Sequence, residues 1–271
     1  MIPRSYLYAP GDEPEKLEKA VARGADAVIA DLEDAVPLDR KDAARETVCA
    51  FLRARDAKGP QVWVRVNGGA LLEEDVLAVA KTGPDGISLP KASLQDLARL
   101  DVLLADADIP VSALIETAAG VLDARAIASS PRVTRLQIGE ADLTGELHIE
   151  PSGDERELMP LRMPIILASS ATGLAPPVGP VSTDFRDLDA LRASTRALKA
   201  LGFGARAAIH PAQVPVINEV FTPSDEEVAR ARRLLELFEA AGGGVCVDDD
   251  GRMVDEAVVR GARYTLALVQ A

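Results

Sequence analysis

The chain has 271 residues, 48% of them hydrophobic, and a formal net charge of −13. That length and apolar fraction suffice for one large core, and α/β barrels of this size form a single domain. The negative charge argues against nucleic acid or an anionic membrane surface as partner, while a local basic pocket still admits a small anionic ligand. The opening residues, MIPRSYLYAPGDEPEK, turn charged before any apolar stretch long enough for a signal peptide. With no run of about 18 apolar residues to span a bilayer, a cytoplasmic protein is expected. The first expected strand is SYLYA (Ser5–Ala9), followed by the amphipathic pattern PEKLEKAVARG. AVIADLE (Ala27–Glu33) is the second strand, followed by LDRKDAARETVCAFLRA. VWVRVN (Val62–Asn67), GISLP (Gly86–Pro90), VSALIE (Val111–Glu116) and TRLQIG (Thr134–Gly139) continue the series. PVGPVS (Pro177–Ser182), the helix pattern LDALRASTRALKALG and ARAAIH (Ala205–His210) complete it.

Strand followed by helix, repeated, implies a parallel sheet. Eight such units fit a (β/α)8 TIM barrel over residues 1–212. A doubly wound open sheet is the alternative, but its Gly-rich phosphate turn after the first strand is replaced here by APGDEPEK. Beyond the eighth strand the pattern changes. PSDEEVARARRLLELFEAAGGG reads as a helix with Ser224 as N-cap and Glu227 completing a capping box. VCVDDDGRMV reads as a hairpin around Asp250-Gly251, and DEAVVRGARYTLALVQA as a last helix. Residues 213–271 are therefore expected to form a C-terminal extension. Cys49 and Cys246, far apart in sequence, read as ordinary thiols.

Barrel active sites lie at the C-terminal ends of the strands. Strand two ends in Asp31, Glu33 and Asp34, strand three carries Arg65 and Asn67, and strand four ends at Lys91. Strand five ends at Glu116, strand six runs into Glu140 and Asp142, and strand eight ends at His210. Each has a structural reading as well. Asp142 fits a helix cap, Glu116 a helix-entry charge before the N-cap Thr117, Arg65 a partner for the DLED acids, and Lys91 and His210 structural roles. Together they point to a hard divalent cation. Glu116 and Asp142 sit on neighbouring strands, and two carboxylates with water and substrate oxygens make a Mg²⁺ site. No His or Cys cluster suits zinc. Arg65 would then offset negative charge developing on a bound oxygen, with Glu116 and Lys91 beside it in contact with substrate.

With these residues placed, the sequence resembles the citrate lyase β-subunit-like family of the HpcH/HpaI aldolase group. The likeness rests on RSYLYAPG, DLEDAV, VRVN, LPK, LIET, GEADL, TDFRDLDALR, IHPAQVPVINEVF and GRMVD, in that order along nearly the whole chain. The resemblance implies Mg²⁺ held by Glu116 and Asp142, with Asp31, Glu33 and Asp34 acting on it through water. It implies that Arg65 contacts a substrate carbonyl. Asp255 would reach a neighbouring subunit's site as acid or base, although it also fits the N-cap of the last helix. The implied assembly is a homotrimer or hexamer, with the extension packing at or across the subunit interface.

The implied chemistry is reversible Claisen-type cleavage of a 3-hydroxy-3-carboxy acyl-CoA thioester, such as malyl-CoA or citramalyl-CoA. Alternatives on the same site are a citrate lyase complex subunit acting on a citryl-acyl carrier, a malate synthase-like condensation and thioester hydrolysis. A non-catalytic binding barrel is the reading furthest from the residues present. CoA phosphates would meet basic residues near the first strand–helix turns, with Arg4, Lys16, Lys19 and Lys41 as candidates. Two departures from the family pattern stand out. Glu140 adds charge beside Asp142, and the segment Leu147–Pro164 is Pro-rich and less family-like.

Overall fold

The computed structural model describes residues 2–56, 58–105 and 107–270. The chain divides into two compact units, Pro3–Asn218 and a smaller one from Glu219 onward. The larger is a closed parallel barrel in which strand order follows the chain and β8 pairs with β1. Its strands are β1 (Ser5–Pro10), β2 (Ala27–Asp31), β3 (Gln61–Arg65), β4 (Gly86–Leu89), β5 (Val111–Ile115), β6 (Val133–Ile138), β7 (Val178–Gly179) and β8 (Ala205–Ala208). Each expected strand is present, with ends displaced by a few residues at most. Helices α1 (Pro14–Ala20), α2 (Lys41–Ala54), α3 (Leu72–Val79) and α4 (Leu94–Leu103) follow the first four strands. α5 (Ala118–Leu122) and α6 (Ala124–Ala128) follow β5, and α7 (Glu140–Leu147) and α8 (Met159–Ala171) follow β6. α9 (Leu188–Leu201) follows β7, and α10 (Gln213–Phe221) follows β8.

Because helices cover the outside and side chains fill the inside, the strands are buried on both faces. All five residues of β2 are buried, which explains the unbroken apolar run that leads into the DLED acids. Toward the N-terminal ends of the strands, Tyr6, Ile29, Trp63 and Val178 pack with Ala27, Ala205 and Ala207. Tyr6 meets the Trp63 ring edge-on, 6.3 Å between centroids. Gly86 makes room for Trp63, since a Cβ there would lie 2.3 Å from the ring. Gly86→Ala should therefore lower stability by about 1–3 kcal/mol through overpacking. Urea denaturation checks this, with a lower midpoint and unchanged slope expected.

Local chemistry sets the helix ends. Asp187 accepts from Ala190 N at 2.8 Å to start α9, and Gly202, at φ 113°, ends it. Thr117 caps α5 through Gly120 N at 3.0 Å.

The smaller unit contains α11 (Asp225–Ala240), the antiparallel pair β9 (Cys246–Val247) and β10 (Met253–Val254), and α12 (Glu256–Gln270). The capping box of Ser224 and Glu227 is formed, and Gly251 turns the hairpin at φ 78°. Its core is Phe238, Val254 and Val259. Both cysteines are free thiols, Cys49 buried. Among the described residues, no helix is long and apolar enough to cross a membrane.

Candidate active site

Asp31 and Arg65 are backbone partners in the β2–β3 ladder, so their side chains leave the sheet together. Arg65 grips Asp31 through two hydrogen bonds, Nε to Oδ1 at 2.7 Å and Nη2 to Oδ2 at 2.6 Å. The Asp31 oxygens also accept from Glu33 N at 2.9 Å and Ala35 N at 3.1 Å. Its lone pairs are thus spent within the protein, and its role is to hold Arg65 and the DLED turn in place. Arg65 Nη1 lies 2.9 Å from Glu33 Oε2, an ion pair without a directed hydrogen bond, and 3.5 Å from the exposed Asp34. The guanidinium also stands over the Tyr8 ring, 5.0 Å from its centroid. This surrounding negative charge raises the Arg65 pKa despite the opposing cost of burial, so the group is permanently cationic.

The second half of the site is built by β4 and β5. Lys91, just past β4, has φ 45°, a left-handed conformation unusual for a side-chain-bearing residue. The turn aims its N–H at Glu116 Oε1, 2.8 Å away, while its Nζ reaches Glu33 Oε1 at 2.7 Å. Lys41 braces the DLED turn after β2, its Nζ donating to Leu32 O at 2.7 Å and Glu33 O at 2.6 Å. Glu116 is 2% exposed. Gly139 lets its carboxylate sit against the start of α7, because a Cβ there would come within 2.6 Å of Oε2. Burial pushes the Glu116 carboxyl up to about 7, with the Glu33 and Asp142 charges adding to the rise and the Lys91 N–H opposing it.

Asp142 lies in the first turn of α7 and is exposed, but it does not cap the helix; Gly139 holds that position without a side-chain bond. Glu116, Asp142, Asp31, Asp34 and Arg65 line one cavity of about 420 Å³ at the C-terminal ends of the strands. Tyr8 and Gln137, which sequence reasoning passed over, line it too. Gln137 Nε2 donates to the Tyr8 hydroxyl at 2.9 Å. The signal was there in SYLYA, where Tyr6 and Tyr8 share a face, and in TRLQIG, where one amide interrupts an apolar strand.

Other expected residues fall elsewhere. Glu140 does not add free charge beside Asp142, since the buried Arg162 holds it through bonds of 2.6 and 2.9 Å. That arginine comes from the less family-like segment, which forms the start of α8. Asn67 is taken up by Asp75, whose Oδ2 accepts from its Nδ2 at 2.7 Å. His210 is exposed and stacks on Phe185 with ring centroids 4.8 Å apart. Arg4 precedes β1, at the opposite end of the barrel, and is forked on Asp26 at 2.7 and 2.9 Å. Lys16 pairs with Glu13 at 2.7 Å and Lys19 with Glu15 at 3.2 Å on the exposed face of α1. In the smaller unit, Asp255 accepts from Ala257 N at 3.0 Å and Val258 N at 3.1 Å, capping α12.

The donor set fits a hard divalent cation. The cavity gathers carboxylate oxygens with no His or Cys, and the recess at Gly139 leaves room for Glu116 Oε2. Among the described residues, no three acidic, His or Cys side chains converge to hold an ion by themselves, so water and substrate oxygens would complete the shell. Below about pH 7 a proton occupies Glu116, and a cation must displace it. Apparent Mg²⁺ affinity should therefore fall about tenfold per unit as pH drops below that value. Calorimetric titration at pH 6, 7 and 8 checks this, and equal affinities would show that no proton on Glu116 competes with the cation in this range.

Comparison with known proteins agrees with this architecture. Residues 4–211 match the HpcH/HpaI aldolase/citrate lyase family. A (3S)-malyl-CoA thioesterase of Cereibacter sphaeroides (strain ATCC 17025 / ATH 2.4.3) is 39% identical over 274 residues, covering 99% of this chain and 95% of that protein. A citrate lyase subunit beta of Leuconostoc mesenteroides subsp. cremoris is 32% identical over 284 residues, covering 99% of this chain and 93% of that protein. The crystal structure of CitE from Mycobacterium tuberculosis with magnesium, acetoacetate and coenzyme A superposes with a TM-score of 0.82. It shares 32% identity, over 99% of this chain and 98% of that one.

Proposed function

The chain belongs to the HpcH/HpaI aldolase/citrate lyase family, and we propose that it is a Mg²⁺-dependent carbon–carbon lyase acting on a malyl-type acyl-CoA thioester. The observation that carries this reading is the pairing of opposite functions in one cavity. Arg65, fixed by Asp31, faces the same space as the buried carboxylate of Glu116 and the exposed carboxylate of Asp142. Glu116 and Asp142 would hold the ion, which supplies a Lewis acid at the 2-oxo-acid portion of the substrate.

The protein's own residues do the rest. Asp34, exposed and 3.5 Å from Arg65 Nη1, is the partner that a substrate oxygen displaces. Arg65 then donates to an oxygen that gains charge as the C–C bond breaks and its electron pair passes to the thioester enolate. As the hydroxyl-bearing carbon becomes the oxo group its hydroxyl proton must leave, and Asp255, delivered by a neighbouring copy in a trimer or hexamer, would take that proton and pass it to the enolate carbon, giving acetyl-CoA. In the condensation direction it would take that proton back. Tyr8 and Gln137 add neutral groups to the wall, and Glu140, the remaining acid in the lining, is paired with Arg162.

Thioester hydrolysis is the second reading, favoured by the Cereibacter relative named for it. Both readings share the substrate and the cavity and differ in products. The purified chain should be given malyl-CoA and citramalyl-CoA with and without Mg²⁺, with products identified by mass spectrometry. Acetyl-CoA with glyoxylate or pyruvate is the expected result. Free CoA with malate or citramalate would replace cleavage by hydrolysis. No turnover of either would overturn the stand-alone reading and move it to a citryl-acyl carrier within a citrate lyase complex.

A further inference from the structure

A second cavity of about 540 Å³ lies beside the first, lined by α9, the start of α8 and the loops after β6 and β7. It shares Glu140 and Val181 with the candidate active site. Its charged groups are unevenly matched. Glu140 is held by Arg162 at 2.6 Å, Glu155 by Arg162 at 2.7 Å, and Asp154 by Arg156 at 2.9 Å. Arg206, from β8, is different. It is 4% exposed, and its Nε donates to Pro180 O at 3.0 Å. Nη1 donates to Ser194 Oγ at 2.8 Å, Thr195 Oγ1 at 2.7 Å and Leu191 O at 3.3 Å. Every one of these acceptors is neutral. Among the described residues no carboxylate pairs with Arg206, and its Nη2 makes no hydrogen bond.

A buried guanidinium without a counter-charge is costly, and the cost is met here in a chain with 43 acidic residues to 30 basic. Burial pushes the Arg206 pKa down to about 10, and the more distant Glu155 and Glu140 offset only part of this. The cavity volume is that of a small-molecule site.

We propose that this second cavity binds a small oxoanion, a carboxylate or phosphate group, recognised by Arg206 with Ser182 and Thr183 in its lining. The anion supplies the charge that the fold withholds from Arg206. It has two possible sources, a free metabolite or a phosphate of a CoA molecule seated in the neighbouring site.

The test is thermal denaturation of the full chain without Mg²⁺ or substrate. Inorganic phosphate and malonate are titrated at constant ionic strength against chloride. A saturable rise in Tm with phosphate or malonate, absent with chloride, is expected. Arg206→Gln should abolish it, but that change also removes bonds that tie β8 to α9 and risks unfolding the barrel. Ala193→Asp is therefore the second variant, because Ala193 is exposed on α9 and lines this cavity but not the candidate active site. A carboxylate there should raise the apparent Kd at least about tenfold. Stabilisation no greater than chloride gives, or a Kd unchanged in Ala193→Asp, would overturn the proposal. Saturating CoA separates the sources. Competition with phosphate supports a CoA phosphate as occupant, and independent binding supports a free anion. No turnover is measured, so failure of the lyase assignment would leave this result standing.

Discussion

Glu116→Gln should remove Mg²⁺-dependent turnover by about a thousandfold or more while leaving the fold intact or more stable. The substitution keeps the shape and the oxygen that accepts from Lys91 N–H, but deletes the charge that a cation needs. The stability effect has a definite sign. The carboxyl rises from an ordinary value of 4.5 to about 7 in the folded protein, so folding favours its neutral form. The corresponding stability is fully present below the unfolded value and is lost as pH rises through about 7. Gln stays neutral at every pH. At pH 8 the variant should therefore gain up to about 3 kcal/mol, and near pH 4 almost nothing. Paired assays of turnover and denaturant stability at the two pH values separate the effects. Retained turnover would remove Glu116 from the metal site, and equal stability at both pH values would show that its carboxylate is not strained by burial.

Arg65→Lys should be damaging in both respects despite keeping the charge. The guanidinium makes a two-bond fork with Asp31, an ion pair with Glu33 and a stacked contact with Tyr8 at once. An ammonium is a point charge that cannot reproduce the planar geometry. Asp31, 1% exposed, would lose at least one partner, and breaking such a buried pair costs about 3–5 kcal/mol. Turnover should fall by at least about a hundredfold through kcat, as expected when an interaction with developing charge is lost. A change confined to KM, with stability unaltered, would show that Arg65 only helps to bind the ground state.

The strands and their order were readable because a parallel barrel imposes a local signal: short β-branched runs, each followed by an amphipathic helix. The polar residues at the strand ends were readable for the same reason, since topology alone carries them to one rim. What they bond to was not. Lys91 reads as an ordinary strand-end lysine, and nothing local reveals that its backbone turns left-handed to meet Glu116, 25 residues away. Glu140 looked like uncompensated charge because its partner, Arg162, is 22 residues on and beyond a segment without clear pattern. Arg206 sits in a strand where alternation cannot say whether it meets an acid. Arg4 seemed close to the site because it is close in sequence to the first strand–helix turn, yet a strand's length places it at the opposite rim.

The pairing of Asp31 with Arg65 has a consequence for how the chain reaches its fold. The two are ladder partners, so their side chains meet only if β2 and β3 align as they do. A slip of one residue would turn one of them away and leave the other charged and alone in an apolar interior, a penalty of several kcal/mol. The hydrophobic residues around them, Ile29, Ala30, Val64 and Val66, are similar enough that burial alone discriminates weakly between alignments. The ion pair thus acts as a proofreading mark on strand alignment. Selection for catalysis and selection for correct assembly would then bear on the same two residues, and a variant that spares one requirement while breaking the other should be hard to find.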